Sequence, residues 1–283
     1  MSDNNISEVK ITVLVDDHQG AGNLRYEHGL SFWIEVDGHS FLFDTGVGEA
    51  LLPNAKTLNI DLAKAEAVIL SHGHYDHTGA LDRVLQLKPE LNVYCHPGVV
   101  LPRYSIRPNN IKYAGMQPEV RQALDSLPEG QIKWQSGMVE LMPGVGLTGA
   151  IPRNSTFEDT GGPFFLDQNK KTQDLLEDDQ ALWIKTSKGL IIVLGCCHSG
   201  LVNTVEYIKK LTGEEKIHTI VGGMHLLYAT EERLDRTCQA LETWQVEQLI
   251  PCHCTGEEVI PLLQQRFPNT FVASQVGMSF SFN

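Results

Sequence analysis

Val9–Val15 reads as a first strand, and Ser31–Val36 and Ser40–Phe43 alternate apolar and polar positions with the period of two that half-buried strands require. Asp37-Gly38 between the last two is a strong two-residue turn signal, so these segments are expected to pair as a tight hairpin. A helical stretch is predicted around Glu49–Leu58. A short buried strand, Ala67–Leu70, then delivers the chain into Ser71-His72-Gly73-His74-Tyr75-Asp76-His77, after which Thr78 is expected to cap a helix running to about Leu87. Asn92–Cys95 reads as another strand. From Ala181 the pattern is regular: strands Ala181–Thr186 and Leu190–Leu194, helix Leu201–Leu211, strand Ile217–Val221, helix Thr230–Thr243, strand Gln248–Pro251, helix Glu257–Arg266, and end strands through Phe282. Hairpins first and β–α alternation later predict an α/β architecture of two mixed sheets packed together with helices outside.

The segment from His96 to Asp179 holds many of the prolines and reads as loops with short strands at Ile132–Trp134 and Val139–Leu141. Between His96 and Arg121 it carries Arg103, Arg107, Lys112 and Arg121 with Tyr104 and Tyr113, against Glu119 alone among acids. Such a cationic, aromatic patch suits an anionic or ring-bearing substrate; a solvated lid with scattered charges is the plainer alternative. No repeat and no linker rich in Pro, Gly or Ser cuts the 283 residues, so a single domain over 1–283 is expected, with an inserted lid-like segment at about 97–179.

The net charge of −13 repels polyanions, which disfavours nucleic acid as a partner and leaves a small-molecule substrate as the expectation. The polar start over Met1–Ser7 lacks the pattern of a secretory signal, and no stretch approaches the roughly 20 apolar residues of a membrane span. A cytoplasmic protein with no membrane partner is expected; the oligomeric state stays open. Six cysteines, at 95, 196, 197, 238, 252 and 254, are too few and too irregular for a disulfide scaffold in a chain this long and read as thiols. Neither Cys196-Cys197 nor Cys252-x-Cys254 has structural zinc-knuckle spacing, though both flank histidines.

The chemistry concentrates after the buried strand Ala67–Leu70. Histidines at i and i+2 of an extended segment project to one side, so His72 and His74 can grip one metal while Asp76 and His77 turn toward a second. Three histidines and an aspartate in six residues are costly to bury unless a cation organises them. The spacing fits a binuclear centre, and one or two divalent ions are the expected cofactor.

The string Ile69-Leu70-Ser71-His72-Gly73-His74-Tyr75-Asp76-His77-Thr78-Gly79, preceded by Phe41-Leu42-Phe43-Asp44-Thr45-Gly46, resembles the HxHxDH signature of the metallo-β-lactamase superfamily. The resemblance implies a four-layer αβ/βα sandwich of two mixed sheets with outer helices, and zinc at one edge, with manganese or iron as the other options. Glu27-His28-Gly29-Leu30-Ser31, Leu147-Thr148-Gly149-Ala150-Ile151-Pro152-Arg153, Gly195-Cys196-Cys197-His198-Ser199-Gly200, Gly222-Gly223-Met224-His225-Leu226 and Pro251-Cys252-His253-Cys254-Thr255-Gly256 are similar to the branch labelled dihydropterin ribofuranosylaminobenzene phosphate synthase-like.

The superfamily pattern has a third histidine, a metal-bridging aspartate and a last histidine after the HxHxDH loop. By that resemblance the metal ligands are His72, His74, Asp76, His77, His198 and His253. Gly195-Cys196 stands where the pattern has Gly-Asp, so no bridging carboxylate is evident, and a Cys196 thiolate there would suit zinc. His225, also at a strand end, is the rival to His253, otherwise an outer partner or a substrate contact. His28 and His96 could approach from loops. Asp44 is expected to orient a metal-bound histidine through its second ring nitrogen, or else to cap its own turn.

The reaction these residues imply is hydrolysis by a metal-activated hydroxide, with Asp76 holding the nucleophilic water and Arg103, Arg107, Lys112 or Arg153 receiving a phosphate or carboxylate. The branch resemblance implies the alternative: a transferase condensing a dihydropterin methyl pyrophosphate with a ribofuranosylaminobenzene phosphate. A non-catalytic metal or ligand sensor is the third reading, raised by the absent bridging carboxylate. A di-iron redox site is disfavoured because Gly73 occupies the place where iron members carry a carboxylate.

Overall fold

The computed structural model describes residues 6–283, so most of the polar start lies outside the described residues. The chain folds into two compact units, neither of them continuous in sequence. One comprises Glu8–Ser136, Pro163–Asp178 and Gln275–Asn283; the other comprises Gly137–Gly162 and Asp179–Ser274, together with 6–7. The segment expected as one lid-like insertion is therefore divided between them.

The unit beginning at Glu8 is built on a seven-stranded mixed sheet. Ser279–Phe282, Val9–Val15, Ser31–Val36 and His39–Phe43 pair antiparallel in that order, and Ala67–Ile69, Asn92–Cys95 and Ile132–Trp134 continue it in parallel. The expected hairpin forms with Asp37 at φ 45° and Gly38 at φ 87°, the positive values that a two-residue hairpin turn demands. Leu51, Ala55, Leu81, Val84 and Leu85 from helices Leu51–Thr57 and Leu81–Leu87 pack with Leu42, Val68 and Val93 of the sheet into one apolar core.

Two expectations fail here for physical reasons. Thr78 caps no helix: it ends a single turn, Tyr75–Thr78, and its hydroxyl donates back to the His74 carbonyl at 3.0 Å. The turn goes no further because the Gly79 amide donates to the Gly46 carbonyl at 2.8 Å rather than back along its own chain, and the helix proper starts at Leu81. The segment expected to be loop holds a hairpin, Tyr104–Arg107 with Asn110–Tyr113, extended by Phe164–Phe165, and a helix, Pro118–Asp125, with proline in its first turn.

The other unit carries a six-stranded mixed sheet. Val139–Met142, Val145–Leu147, Leu182–Thr186 and Gly189–Leu194 are antiparallel neighbours, followed in parallel by Ile217–Gly223 and Gln248–Cys252. Gly189–Leu194 is buried throughout, which explains its unbroken apolar run. Helix Glu231–Trp244 begins where Thr230 Oγ1 accepts from the Arg233 amide and ends at Gln245 in the left-handed region; helix Leu201–Thr212 ends at Gly213, φ 66°. Their apolar faces meet the sheet through Leu201, Val205, Ile208, Cys238 and Leu241. Among the described residues no helix is long and apolar enough to cross a membrane.

Candidate metal centre

His72, His74, Asp76 and His77 are all buried, on the loop that leaves the parallel strand Ala67–Ile69. Their anchor is Asp44, at the end of the neighbouring strand, buried and in the left-handed region at φ 57°. Asp44 Oδ1 accepts from the Ser71 amide at 2.7 Å, and Oδ2 accepts from Ser71 Oγ at 2.6 Å and lies 2.7 Å from His77 Nδ1. Ser71 Oγ also stands 2.9 Å from His72 Nδ1. Because the serine proton is given to the carboxylate, His72 Nδ1 must donate to Ser71, and His77 Nδ1 must donate to Asp44. Both rings are thereby fixed with Nδ1 protonated and the lone pair on Nε2, as required of metal-ligating imidazoles.

The inner nitrogens converge. His72 Nε2 and His74 Nδ1 are 3.0 Å apart, close to the about 3.3 Å that separates two imidazole nitrogens on one tetrahedral zinc. His77 Nε2 lies 3.8 Å from Asp76 Oδ2, and the His72 and His77 ring centroids are 4.3 Å apart. Phe164 covers His74 at 4.9 Å between rings. Asp76 Oδ2 has a further neighbour in His28 Nε2 at 3.4 Å, and His28 Nδ1 is in turn 3.0 Å from Asp17 Oδ2, so His28 does reach this cluster. The donor set fits a divalent cation of intermediate softness.

The loop is held from behind by a buried ion pair that the sequence did not reveal. Arg103 is 1% exposed: Nε donates to Asp174 Oδ2 at 2.8 Å, and Nη1 and Nη2 clasp the two oxygens of Asp178 at 2.7 and 2.5 Å. Asp178 Oδ2 also accepts from the Gly73 amide at 2.8 Å, between His72 and His74. Burial works against the guanidinium charge, but Asp178 and Asp174 override it and hold the pKa of Arg103 above its ordinary value. Arg103 is thus a brace for the loop, not the exposed substrate contact expected from its neighbours in sequence. Gly73→Ala would place a Cβ 2.1 Å from the Val99 carbonyl oxygen and 2.5 Å from Arg103 Nη1. That substitution should lower thermal stability and divalent-metal content together, read by melting and elemental analysis; an unshifted melting temperature would show the loop free to move.

The other cations are differently placed. Lys112 Nζ donates to Tyr75 OH at 2.6 Å, beside His74; Arg107 is exposed at a strand end, and Arg153 is half-buried in the other unit. His96 Nδ1 accepts from the Gly98 amide at 3.0 Å, capping the turn Pro97–Val100.

In the unit carrying Asp179–Ser274 the remaining expected residues gather at strand ends. Cys197, His225 and His253 all have positive φ, at 56°, 45° and 44°, a strain that persists only where surrounding structure imposes it. His198 Nδ1 donates to the Thr160 carbonyl at 2.7 Å, leaving Nε2 as the lone-pair nitrogen, and its ring lies 4.3 Å from that of His225. The adjacent cysteines part ways. Burial, then Asp179, pushes the Cys197 thiol well up, and its Sγ sits 3.4 Å from Thr204 Oγ1 in the core, whereas Cys196 approaches His225 and Cys254. Burial alone would raise the Cys254 thiol too; its hydrogen bond with Cys196 and the nearby His225 and His253 instead hold it well below the ordinary range. Cys254 had no sequence signal beyond lying next to His253.

A profile of the metallo-beta-lactamase superfamily matches residues 25–162. The 7,8-dihydropterin-6-methyl-4-(beta-D-ribofuranosyl)-aminobenzene-5'-phosphate synthase of Methanocaldococcus jannaschii is 31% identical, over 98% of each chain. Among solved structures, Tm1679, described as a metal-dependent hydrolase of the beta-lactamase superfamily, superposes with a TM-score of 0.80 at 31% identity, covering 96% of this chain and 98% of its own. YhfI of Bacillus subtilis, a metallo-beta-lactamase fold protein, gives 0.58 at 12% identity over 97% and 99% and shares the fold alone. With its mixed α/β sheets and its HxHxDH loop, this chain belongs to the metallo-β-lactamase superfamily.

Proposed function

We propose that the protein is a metal-dependent hydrolase acting on a small substrate that bears a phosphate or carboxylate. The observation that carries this is the relay centred on Asp44, which sets the lone pairs of His72 and His77 inward beside Asp76. The proposed ligands from this loop are His72, His74, Asp76 and His77; His198 and His253 are added on the strength of the sequence resemblance. One or two divalent ions would occupy them, zinc first, manganese or iron otherwise.

The metal would supply Lewis acidity, lowering the pKa of water to about 7 and polarising the bond under attack. Asp76, 3.4 Å from His28 Nε2, would hold the attacking water and receive its proton, with His28 steadying the carboxylate. Lys112, fixed on Tyr75 next to His74, would meet the anionic group of the substrate, with Arg107 and Arg153 as further candidates. Asp76→Ala is expected to lower turnover at least about 100-fold without loss of fold. Measuring kcat and metal content together checks this, and full turnover with normal metal content would sink the role given to Asp76.

A panel of phosphomonoesters, phosphodiesters, thioesters and lactams with zinc and manganese identifies the substrate class. The second reading, a condensing transferase, draws its support from the 31% identity to the methanogen synthase. Product analysis in labelled water separates the two: hydrolysis incorporates solvent oxygen, while condensation requires two organic substrates and incorporates none at the new carbon bond.

A further inference from the structure

Three adjacent parallel strands, Gly189–Leu194, Ile217–Gly223 and Gln248–Cys252, run in register with Leu194 beside Gly222 and Gly222 beside Pro251. Each releases a soft or borderline metal donor within three residues of its carboxyl end: Cys196, His225 and Cys254. The two Sγ atoms and one imidazole nitrogen all lie within 4.8 Å of one another. On a tetrahedral zinc two sulfurs stand about 3.8 Å apart and sulfur and nitrogen about 3.6 Å, so small side-chain rotations bring the three into range.

The neighbourhood is shaped around these donors. A Cβ on Gly223 would fall 2.6 Å from Cys254 Sγ, and one on Gly161, at φ 78°, would fall 1.9 Å from the His225 ring; only glycine leaves room for either. His198 packs against the other side of the His225 ring, and Cys254 Sγ reaches the Cys196 carbonyl at 3.6 Å. Both thiols are buried, with Cys196 2% and Cys254 8% exposed. By contrast Cys197 and Cys252 hydrogen-bond to Thr204 and Ser274 and have no place in the cluster.

We propose that Cys196, His225 and Cys254 form a thiolate-rich cation site that takes zinc or another thiophilic divalent ion, with its fourth position left to water or a ligand atom. The site uses three strand ends of one unit and takes none of its donors from His72, His74, Asp76 or His77. Cys196 and His225 become partners of Cys254.

The test is cobalt substitution of the full chain, stripped with chelator under reducing conditions and reloaded with Co2+. Thiolate ligation gives a sulfur-to-cobalt charge-transfer band in the near ultraviolet; histidine and carboxylate ligation give none. The band is expected in the wild type, at roughly half intensity in Cys196→Ser and in Cys254→Ser, and absent from the double variant. It should persist in Cys197→Ser and in His72→Ala, the latter reporting the other centre through loss of bound cobalt. If the serine variants do not fold, thiol titration of the wild type replaces them, and zinc should shield two more thiols from a disulfide reagent. Cobalt bound without the band, a band untouched by Cys254→Ser, a band lost with His72→Ala, or no shielding by zinc would each overturn the site.

Discussion

Replacing Asp178 by alanine is expected to destabilise the protein by about 3–5 kcal/mol, because it strands a buried guanidinium without its bidentate partner. Arg103 would keep only Asp174 and the Gly98 carbonyl, and the Gly73 amide would lose its acceptor as well. Thermal melting should show a Tm lower by roughly 10 °C, and divalent-metal binding should weaken because the backbone between His72 and His74 is no longer pinned. Asp178→Asn separates size from charge: it fills the same space but cannot accept from both Nη1 and Gly73 with a charged oxygen, so it should lie between alanine and wild type. An Asp178→Ala protein that melts with the wild type would show that the clasp does not brace the loop.

Asp44→Asn is expected to weaken divalent-metal binding about 10–100-fold while leaving the backbone intact. Asparagine tolerates the left-handed conformation that residue 44 adopts, so strain does not confuse the result. Its amide offers one oxygen where the carboxylate accepts from the Ser71 amide, Ser71 Oγ and His77 Nδ1. At least one imidazole is then free to take the wrong tautomer, presenting a proton toward the ion. Competition against a chelator of known affinity measures the change, and an unchanged dissociation constant would remove Asp44 from any part in metal binding.

Much of the scaffold was legible because burial imposes a period on the chain. The Asp37-Gly38 hairpin, the fully apolar strand Gly189–Leu194 and the Thr230 cap all carry their cause within a few residues. The hairpin Tyr104–Arg107 with Asn110–Tyr113 escaped notice since its second strand is exposed throughout and shows no apolar alternation. Helix Pro118–Asp125 lies in a proline-rich stretch whose prolines mark loops elsewhere, although proline also fits the first turn of a helix. The HxHxDH loop was legible from spacing alone, but spacing does not say which histidine Asp44 meets or that Ser71 shares its carboxylate. The bracing contacts of Arg103 have no local signature, because its partners lie 71 and 75 residues away in sequence. For Cys254 the sequence shows only a cysteine beside a histidine; what distinguishes it from an ordinary buried thiol is two neighbouring strands.

The pairing of Val9–Thr12 with Ser279–Phe282 has a consequence for biogenesis. Until residue 282 has been synthesised, strand Val9–Val15 displays an open row of amides and carbonyls along a strongly apolar segment, the kind of border on which extended chains aggregate. The nascent protein must wait for this distal segment to cover the border of its first sheet with a short edge strand, so its yield in a cell should depend on chaperone supply more than its final stability would indicate.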